Sequence, residues 1–133
     1  MTYPDMNRPT AARQAAIFLL EDEALIRMMI AEMVEELGHS VAAEAGNIHE
    51  GKKLAETAAF DLALLDVNVG GESILPVAEI IETRGVPFLF ITGYGQDGVP
   101  SPFGERLVLQ KPFAITKLGD AIEAVLGEPR EDT

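Results

Sequence analysis

A short apolar run that stops at one carboxylate sets the strongest limit on how this chain can fold. Leu62, Ala63, Leu64 and Leu65 are followed directly by Asp66. A strand that is apolar on both faces belongs in the buried middle of a parallel sheet, and its last residue reaches the carboxyl edge of that sheet. Open α/β sheets bind their ligands at this edge. The run therefore predicts an α/β fold with Asp66 at a ligand-binding position.

Three further apolar runs end at residues that suit phosphate and metal chemistry. One ends at Glu21 and Asp22, one ends at Thr92, and one ends just before Lys111. In a parallel sheet these side chains would share one edge with Asp66, which brings together three carboxylates, a hydroxyl and an ammonium group. Carboxylates bind Mg²⁺, and a lysine supplies a point charge for phosphoryl oxygens. The pattern predicts a metal-assisted phosphoryl transfer.

Composition narrows the class of protein. The chain has 133 residues, of which 47% are hydrophobic, and this is the usual size of one globular domain with a core of its own. It has no cysteine, which excludes disulfides and thiolate chemistry. A net charge of −12 argues against binding to nucleic acid or anionic lipid. No apolar run is long enough to span a bilayer or form a signal peptide, so we expect a cytoplasmic protein.

Strand and helix patterns alternate along the chain, as they do in a helix–sheet–helix sandwich. Gly38 is a stop signal for the first helix, Asn47 a cap for the second, and Pro76 a first-turn residue for the third. Four glycines and two prolines in residues 93–106 argue against a full fourth helix. The predicted strands are residues 16–20, 40–45, 62–65, 87–91 and 107–109, and the last helix is placed by Ile115, Leu118, Ile122 and Val125.

The domain boundaries follow from the same patterns. Residues 1–14 are polar, contain two prolines and show no periodicity, so we expect a flexible arm. Residues 15–127 form one domain, and residues 128–133 form an acidic tail.

These motifs, in this order and at these strand ends, resemble the receiver domain of two-component response regulators. The resemblance runs from about Ala16 to Leu126. Phe90 to Tyr94 (FITGY) is similar to the motif of the FAT-GUY group of stand-alone receivers, and the Lys111 motif fits that placement. The resemblance implies a flavodoxin-like (CheY-like) three-layer sandwich. Its five-stranded parallel sheet would have the order 2-1-3-4-5, with a fourth helix that is short or disordered.

The resemblance also assigns roles to the residues at the strand ends. Asp66 would be the nucleophile that accepts the phosphoryl group. A Mg²⁺ ion would be bound by Asp22 and Asp66 directly, by Glu21 through water, and by the backbone carbonyl of Asn68. The simpler interpretations are a loop-capping role for Asp66 and favourable acids at the start of the first helix for Glu21 and Asp22.

Three more positions complete the implied site. Lys111 would pair with Asp66 at rest and with a phosphoryl oxygen afterwards, and the bond to Pro112 is expected to be cis. Thr92 would donate its hydroxyl to the phosphoryl group, whereas Asn68 and Tyr94 would influence how fast the acyl phosphate hydrolyses. The simpler interpretations are an exposed lysine at the start of a helix and an ordinary strand threonine.

The chain departs from the family pattern at Val108, where many receivers have a Tyr or Phe that moves inward when the threonine binds phosphate. The usual coupling between threonine and aromatic residue is therefore not expected here. Ordering of residues 93–106 on phosphorylation is the hypothesis that takes its place. Slower amide exchange in that segment on activation would support it, and unchanged protection would count against it.

We therefore expect a response regulator that takes a phosphoryl group from a histidine kinase or phosphotransfer protein and slowly hydrolyses it. It would then bind a downstream protein partner or drain phosphate from a relay, most simply as a monomer. The main alternative is a pseudo-receiver that only binds partners. A flavodoxin-like FMN binder conflicts with acids after the first strand, and a haloacid-dehalogenase-type phosphohydrolase needs an Asp where Asn68 stands.

Overall fold

The computed structural model describes residues 14–93 and 99–126. Apart from Gln14, the expected N-terminal arm lies outside the described residues, as do Tyr94 and the acidic tail. The boundaries proposed for the arm, the domain and the tail therefore stay predictions. Within the described part of the chain, no helix is both long and apolar enough to cross a bilayer.

The described part of the chain contains seven strands and four α-helices. A single 3₁₀ turn, Ser101–Phe103, precedes the last strand. The strands are β1 (Ala16–Leu20), β2 (Ser40–Ala45), β3 (Leu62–Asp66), β4 (Asn68–Val69), β5 (Glu72–Ser73), β6 (Phe88–Thr92) and β7 (Val108–Gln110). The helices are α1 (Ala24–Glu36), α2 (Ile48–Thr57), α3 (Leu75–Arg84) and α4 (Ile115–Leu126).

Five of the strands form a parallel sheet in the order β2-β1-β3-β6-β7. Counted without the small hairpin β4–β5, this is the predicted order 2-1-3-4-5, so the flavodoxin-like fold is confirmed. Every residue of β3 and β6 is buried, as expected for central strands that are apolar on both faces. In β2, exposed and less exposed residues alternate, as expected for an edge strand.

Side chains of alternate strand residues build two separate core layers, because successive residues of a strand point to opposite faces. Phe18, Leu65 and Phe90 belong to the layer that contains α2 and α3. Leu19 and Leu64 belong to the layer that contains α1 and α4. The sheet is covered on both faces, and its carboxyl edge is left for ligands.

Local signals place the helix ends. The side chain of Asn47 accepts a hydrogen bond of 2.8 Å from the backbone N–H of Glu50, which confirms the predicted cap of α2. Gly85 follows α3 with a φ of 78°, a conformation that favours glycine. Gly38 follows α1 in the same way, with a φ of 94°. Asn47 thus follows the carboxyl end of β2, whereas Gly38 and Gly85 precede the amino ends of the next strands.

The hairpin of β4 and β5 is absent from the sequence-based prediction. Its two strands have two residues each, which is too short for an apolar pattern, and the turn is made by Gly70 and Gly71 with positive φ. The sequence indicated only a loop there. The hairpin matters for function because it starts two residues after Asp66.

The segment after β6 has no full helix among its described residues, 99–107, in agreement with the prediction. Phe103 of the 3₁₀ turn is buried and packs edge-on against Phe88 with ring centroids 5.3 Å apart. The guanidinium of Arg106 covers the ring of Phe88 at 4.3 Å from its centroid and pairs with Glu82 of α3. An aromatic anchor thus holds this segment against the sheet.

Candidate functional site

The polar residues that end the apolar runs converge at the carboxyl edge of the sheet. Three of them, Asp22, Asp66 and Lys111, line a cavity of about 520 Å³. The residues that line it are Asp22, Glu23, Ile26, Asp66, Val67, Asn68, Gly93, Lys111 and Pro112. The structure therefore brings Asp22, Asp66, Asn68 and Lys111 together around one space, as the sequence predicted.

Lys111 lies between two buried carboxylates. Its Nζ donates to Glu21 Oε1 at 3.1 Å and to Asp66 Oδ2 at 3.4 Å. Glu21 is fully buried, and Asp66 is 4% exposed. The contact of Lys111 with Asp66 is the predicted one, and the shorter contact with Glu21 is additional. The two carboxyl groups, Glu21 and Asp66, thus share the single ammonium group of Lys111.

Burial dominates the protonation of this group, because a charged carboxyl is disfavoured away from water. Burial raises the pKa of Glu21 to about 7, and the nearby Asp66 carboxylate acts in the same direction. Burial also raises the pKa of Asp66, although Lys111 opposes the shift. Burial acts to lower the pKa of Lys111, but its contacts with Glu21 and Asp66 outweigh this and raise it. The cluster is short of positive charge.

Backbone amides of the hairpin segment orient the acids from the other side of the cavity. Asp22 Oδ2 accepts a hydrogen bond of 2.9 Å from the N–H of Gly70. Asp66 Oδ1 accepts one of 3.3 Å from the N–H of Asn68, whose own Oδ1 accepts one of 3.0 Å from Gly71. The two glycines are thus part of the site, a contribution that only the structure reveals.

The three acids are close enough together to hold one metal ion. One oxygen from each of Glu21, Asp22 and Asp66 lies within 4.8 Å of the others. An all-oxygen donor set beside an open cavity matches Mg²⁺, which takes carboxylate oxygens and keeps several waters. The burial of two of these acids with a single lysine between them also fits a divalent cation. The residues present therefore fit a magnesium site.

Thr92 is not among the residues that line the cavity, although the sequence predicts it as a donor to the phosphoryl group. It ends β6, is fully buried, and its carbonyl accepts a hydrogen bond of 2.8 Å from the N–H of Lys111. Gly93, the next residue, lines the cavity, and a Cβ on it would meet nothing within 4 Å. The peptide bond between Lys111 and Pro112 is cis, as predicted. Val108 pairs with Phe90 in the sheet and packs against the α2–α3 layer.

Comparison with protein families decides what this arrangement is. Residues 17–123 match the response regulator receiver domain. The chain belongs to the response regulator receiver domain family. The matched region includes every residue that the sequence placed in the site, so the family and the geometry support each other.

Two curated relatives belong to longer proteins. The transcriptional regulatory protein PdtaR of Mycobacterium tuberculosis is 36% identical over 96% of this chain and 66% of its own length. The phyllosphere-induced regulator PhyR of Methylorubrum extorquens is 33% identical over 92% of this chain and 48% of its own length. The chain thus spans about half to two thirds of these receiver relatives.

A solved receiver structure has almost the same extent as this chain. SdrG from Sphingomonas melonis Fr1 is 38% identical, with a TM-score of 0.76 over 85% of this chain and 97% of SdrG. The BeF3-activated conformation of SdrG, reported from Pseudomonas melonis Fr1, is 39% identical, with a TM-score of 0.70 over 82% of this chain and 93% of SdrG. This chain is therefore similar to SdrG in sequence as well as in fold.

Proposed function

We propose that this receiver accepts a phosphoryl group on Asp66 in a Mg²⁺-dependent reaction. The observation that supports the proposal most is the convergence of Asp22, Asp66 and Lys111 at one cavity, with the buried Glu21 bonded to Lys111 beside it. In the transfer, a carboxylate oxygen of Asp66 forms a bond to phosphorus while the bond between phosphorus and the donor breaks. The leaving group keeps the bonding electrons and takes a proton from solvent.

The protein's own residues orient this reaction. The N–H of Asn68 binds Asp66 Oδ1 and leaves the other oxygen on the side of Lys111. Lys111 can follow the charge as it moves from the carboxylate to the phosphoryl oxygens, because its side chain is flexible. Gly93 leaves room beside Thr92, whose hydroxyl is the proposed donor to the bound phosphoryl group. The Asn68 side chain stands at the cavity where a hydrolytic water would approach.

Glu21, Asp22, Asp66 and the backbone carbonyl of Asn68 are the residues that we propose for the magnesium ion. A bound Mg²⁺ would neutralise charge that develops on the phosphoryl oxygens. Because the ion supplies positive charge that the cluster lacks, transfer without a divalent cation should be slow.

The donor is proposed to be a sensor histidine kinase or a histidine phosphotransfer protein, which is the partner that a receiver implies. The output would be a changed protein-binding surface or drainage of phosphate from a relay. The cytoplasm and a monomeric state stay expectations from the sequence, as does the place in the FAT-GUY group. In PhyR and PdtaR the matched region is part of a longer chain.

The test is phosphorylation by a small donor. The protein is incubated with acetyl phosphate and Mg²⁺, and intact-mass spectrometry follows the gain of one phosphoryl group. The gain should need Mg²⁺, disappear in Asp66→Ala, and be reversed by hydroxylamine, which cleaves acyl phosphates. Asp120→Asn is the matched control, because Asp120 is an exposed acid on α4 and should leave the gain unchanged.

The negative result is also informative. If no mass gain occurs and beryllofluoride with Mg²⁺ leaves the amide spectrum unchanged, the phosphoacceptor role is wrong. The chain would then be a pseudo-receiver that acts only by binding partners. A gain that persists in Asp66→Ala would place the phosphoryl group on another residue.

A further inference from the structure

Arg27 binds the loop that carries the acidic pair, although the transfer chemistry does not use it. It is the one basic residue of α1. One guanidinium nitrogen, Nη1, donates to the backbone carbonyl of Glu21 at 2.7 Å. Another, Nε, pairs with Glu44 Oε1 at 3.3 Å. The side chain of Arg27 thus connects the first helix, the loop after β1 and the end of β2.

The space for this guanidinium is provided by Gly46. A Cβ on Gly46 would lie 2.8 Å from Arg27 Nη1 and 3.6 Å from its Cζ. Any residue other than glycine at position 46 would therefore displace the guanidinium. Since the φ of Gly46 is not in the left-handed region, the backbone conformation itself does not require glycine. Close approach of Arg27 is the remaining reason for glycine there.

The Glu21–Asp22 peptide is fixed on several sides by this arrangement. The N–H of Glu21 donates to the carbonyl of Ala45 at 3.1 Å, and its Oε2 accepts from the N–H of Glu23 at 3.0 Å. The contact with Arg27 holds the carbonyl that directly precedes Asp22. A peptide unit is planar, so fixing this carbonyl also fixes the direction in which the chain enters Asp22.

We propose that Arg27 is a positioning residue for the magnesium site, with Gly46 providing the space in which it acts. The inference rests on the proposed function, because it concerns the same carboxylates. Arg27 touches neither the cavity nor Asp66 in the contacts of the described residues. It acts through the Glu21 carbonyl by holding two acids at the separation that one ion needs.

The guanidinium suits this role better than an ammonium group. Its nitrogens are fixed in a plane, so one side chain can donate to a carbonyl and a carboxylate in two set directions. A lysine has a single nitrogen on a flexible stem and would lose one of these directions. Arg27→Lys should therefore restore only part of the function of Arg27, even though it keeps the charge.

Two variants remove the contact by independent routes. Arg27→Met removes the donors and keeps an apolar stem, whereas Gly46→Ala leaves Arg27 intact and displaces its guanidinium. Arg84→Met is the control for the first, because Arg84 also donates to a backbone carbonyl, that of Ala55, away from the cavity. Gly104→Ala is the control for the second, since its new Cβ would make an ordinary 3.7 Å contact.

Magnesium binding is measured by calorimetry, and phosphorylation by acetyl phosphate is measured over a range of Mg²⁺ concentrations. Arg27→Met and Gly46→Ala should each weaken Mg²⁺ binding about tenfold, the lower end of the effect typical of residues that orient metal ligands. The maximal rate at saturating Mg²⁺ should stay within about twofold of the wild type, because binding rather than chemistry is affected. The double variant should be no weaker than either single variant, since both remove one interaction.

A purely structural role would give a different result. Arg84→Met should lower the unfolding temperature and leave Mg²⁺ affinity unchanged, whereas Arg27→Met should change the affinity. If both Arg27→Met and Gly46→Ala bind Mg²⁺ as the wild type does, or if their maximal rates fall and excess Mg²⁺ does not restore them, the inference is wrong. If the wild type itself neither binds Mg²⁺ nor accepts phosphate, the proposed function fails as well.

Discussion

Replacing Lys111 by Met should destabilise the metal-free protein, and the loss should grow as the pH rises. The substitution keeps most of the side-chain stem but removes the cation that Glu21 and Asp66 share. Both carboxylates are buried, so bulk water does not solvate their charges when the ammonium group is removed. The folded state would contain two like charges without a counter-ion.

The contacts give the size of the effect. At 3.1 Å and 3.4 Å, Coulomb's law with an effective dielectric of 20 gives roughly 5 kcal/mol for each contact. Desolvation offsets part of this attraction, and the loss of one partner from a buried pair costs about 3–5 kcal/mol. The Lys111 side chain keeps 19% of its exposure. We therefore expect the lower end of that range, about 3 kcal/mol of unfolding free energy.

The direction of the pH dependence follows from Glu21. Its pKa is raised from 4.5 to about 7, so below this value the folded protein holds a proton on Glu21. Lys111 then has less negative charge to balance, and its removal costs less. Above this value Glu21 is ionised and pairs with Lys111, so the variant loses this attraction as well. The destabilisation should therefore be smaller near pH 5.5 than near pH 8, values of about 1.5 and 1 pH units on either side of the transition.

Urea unfolding followed by circular dichroism, in EDTA, measures this difference. Lys117→Met is the matched control, because Lys117 is exposed on α4 and its removal should cost little at either pH. Glu21→Gln in the Lys111→Met background should recover much of the loss at high pH, since it removes one of the unpaired charges. An equal loss at both pH values, or a loss no larger than that of Lys117→Met, would refute the reasoning.

Two further predictions concern the metal-free site and the segment after β6. Because the pKa of Glu21 is raised in the folded state, the unfolding free energy of the wild type in EDTA should fall as the pH rises from 4.5 to about 7. Saturating Mg²⁺ or Glu21→Gln should flatten this slope, and an unchanged slope in Glu21→Gln would contradict it. Phe103→Ala should cost about 3 kcal/mol in urea unfolding, whereas Leu107→Ala, at a side chain that is 40% exposed, should cost far less. Equal losses for the two would mean that Phe103 is not an anchor.

The sheet and its order could be predicted because the strand pattern is strong at the places that matter. β1 and β2 begin and end where the sequence predicted, β3 extends one residue further, and β6 and β7 lie one residue later than predicted. The ends of these strands placed Asp66, Asp22 and Lys111 at one edge. A single pattern thus predicted both the fold and the positions of these residues, because a sheet in the predicted order brings its strand ends to one edge.

Other features depend on distances that no local pattern encodes. Lys111 is closer to Glu21 than to Asp66 by a few tenths of an ångström, a difference set by side-chain length and packing between residues far apart in sequence. In α1 the neighbouring residues Met33 and Val34 are both apolar, but Val34 is fully buried whereas Met33 is only partly buried. The packing of the helix against the sheet decides which of the two is buried.

Because the central strands are apolar on both faces, their apolar residues alone do not set their register in the sheet. In a strand with one apolar face, a register shift of one residue exposes that face to solvent, which is unfavourable. In β3 and β6 every interior residue is apolar, so a register shift would again bury apolar side chains. The polar residue at the end of the strand penalises such a slip. Sliding would move Asp66 into the apolar core or move a leucine to the carboxyl edge of the sheet. The polar residues at the strand ends therefore also set the register of the sheet.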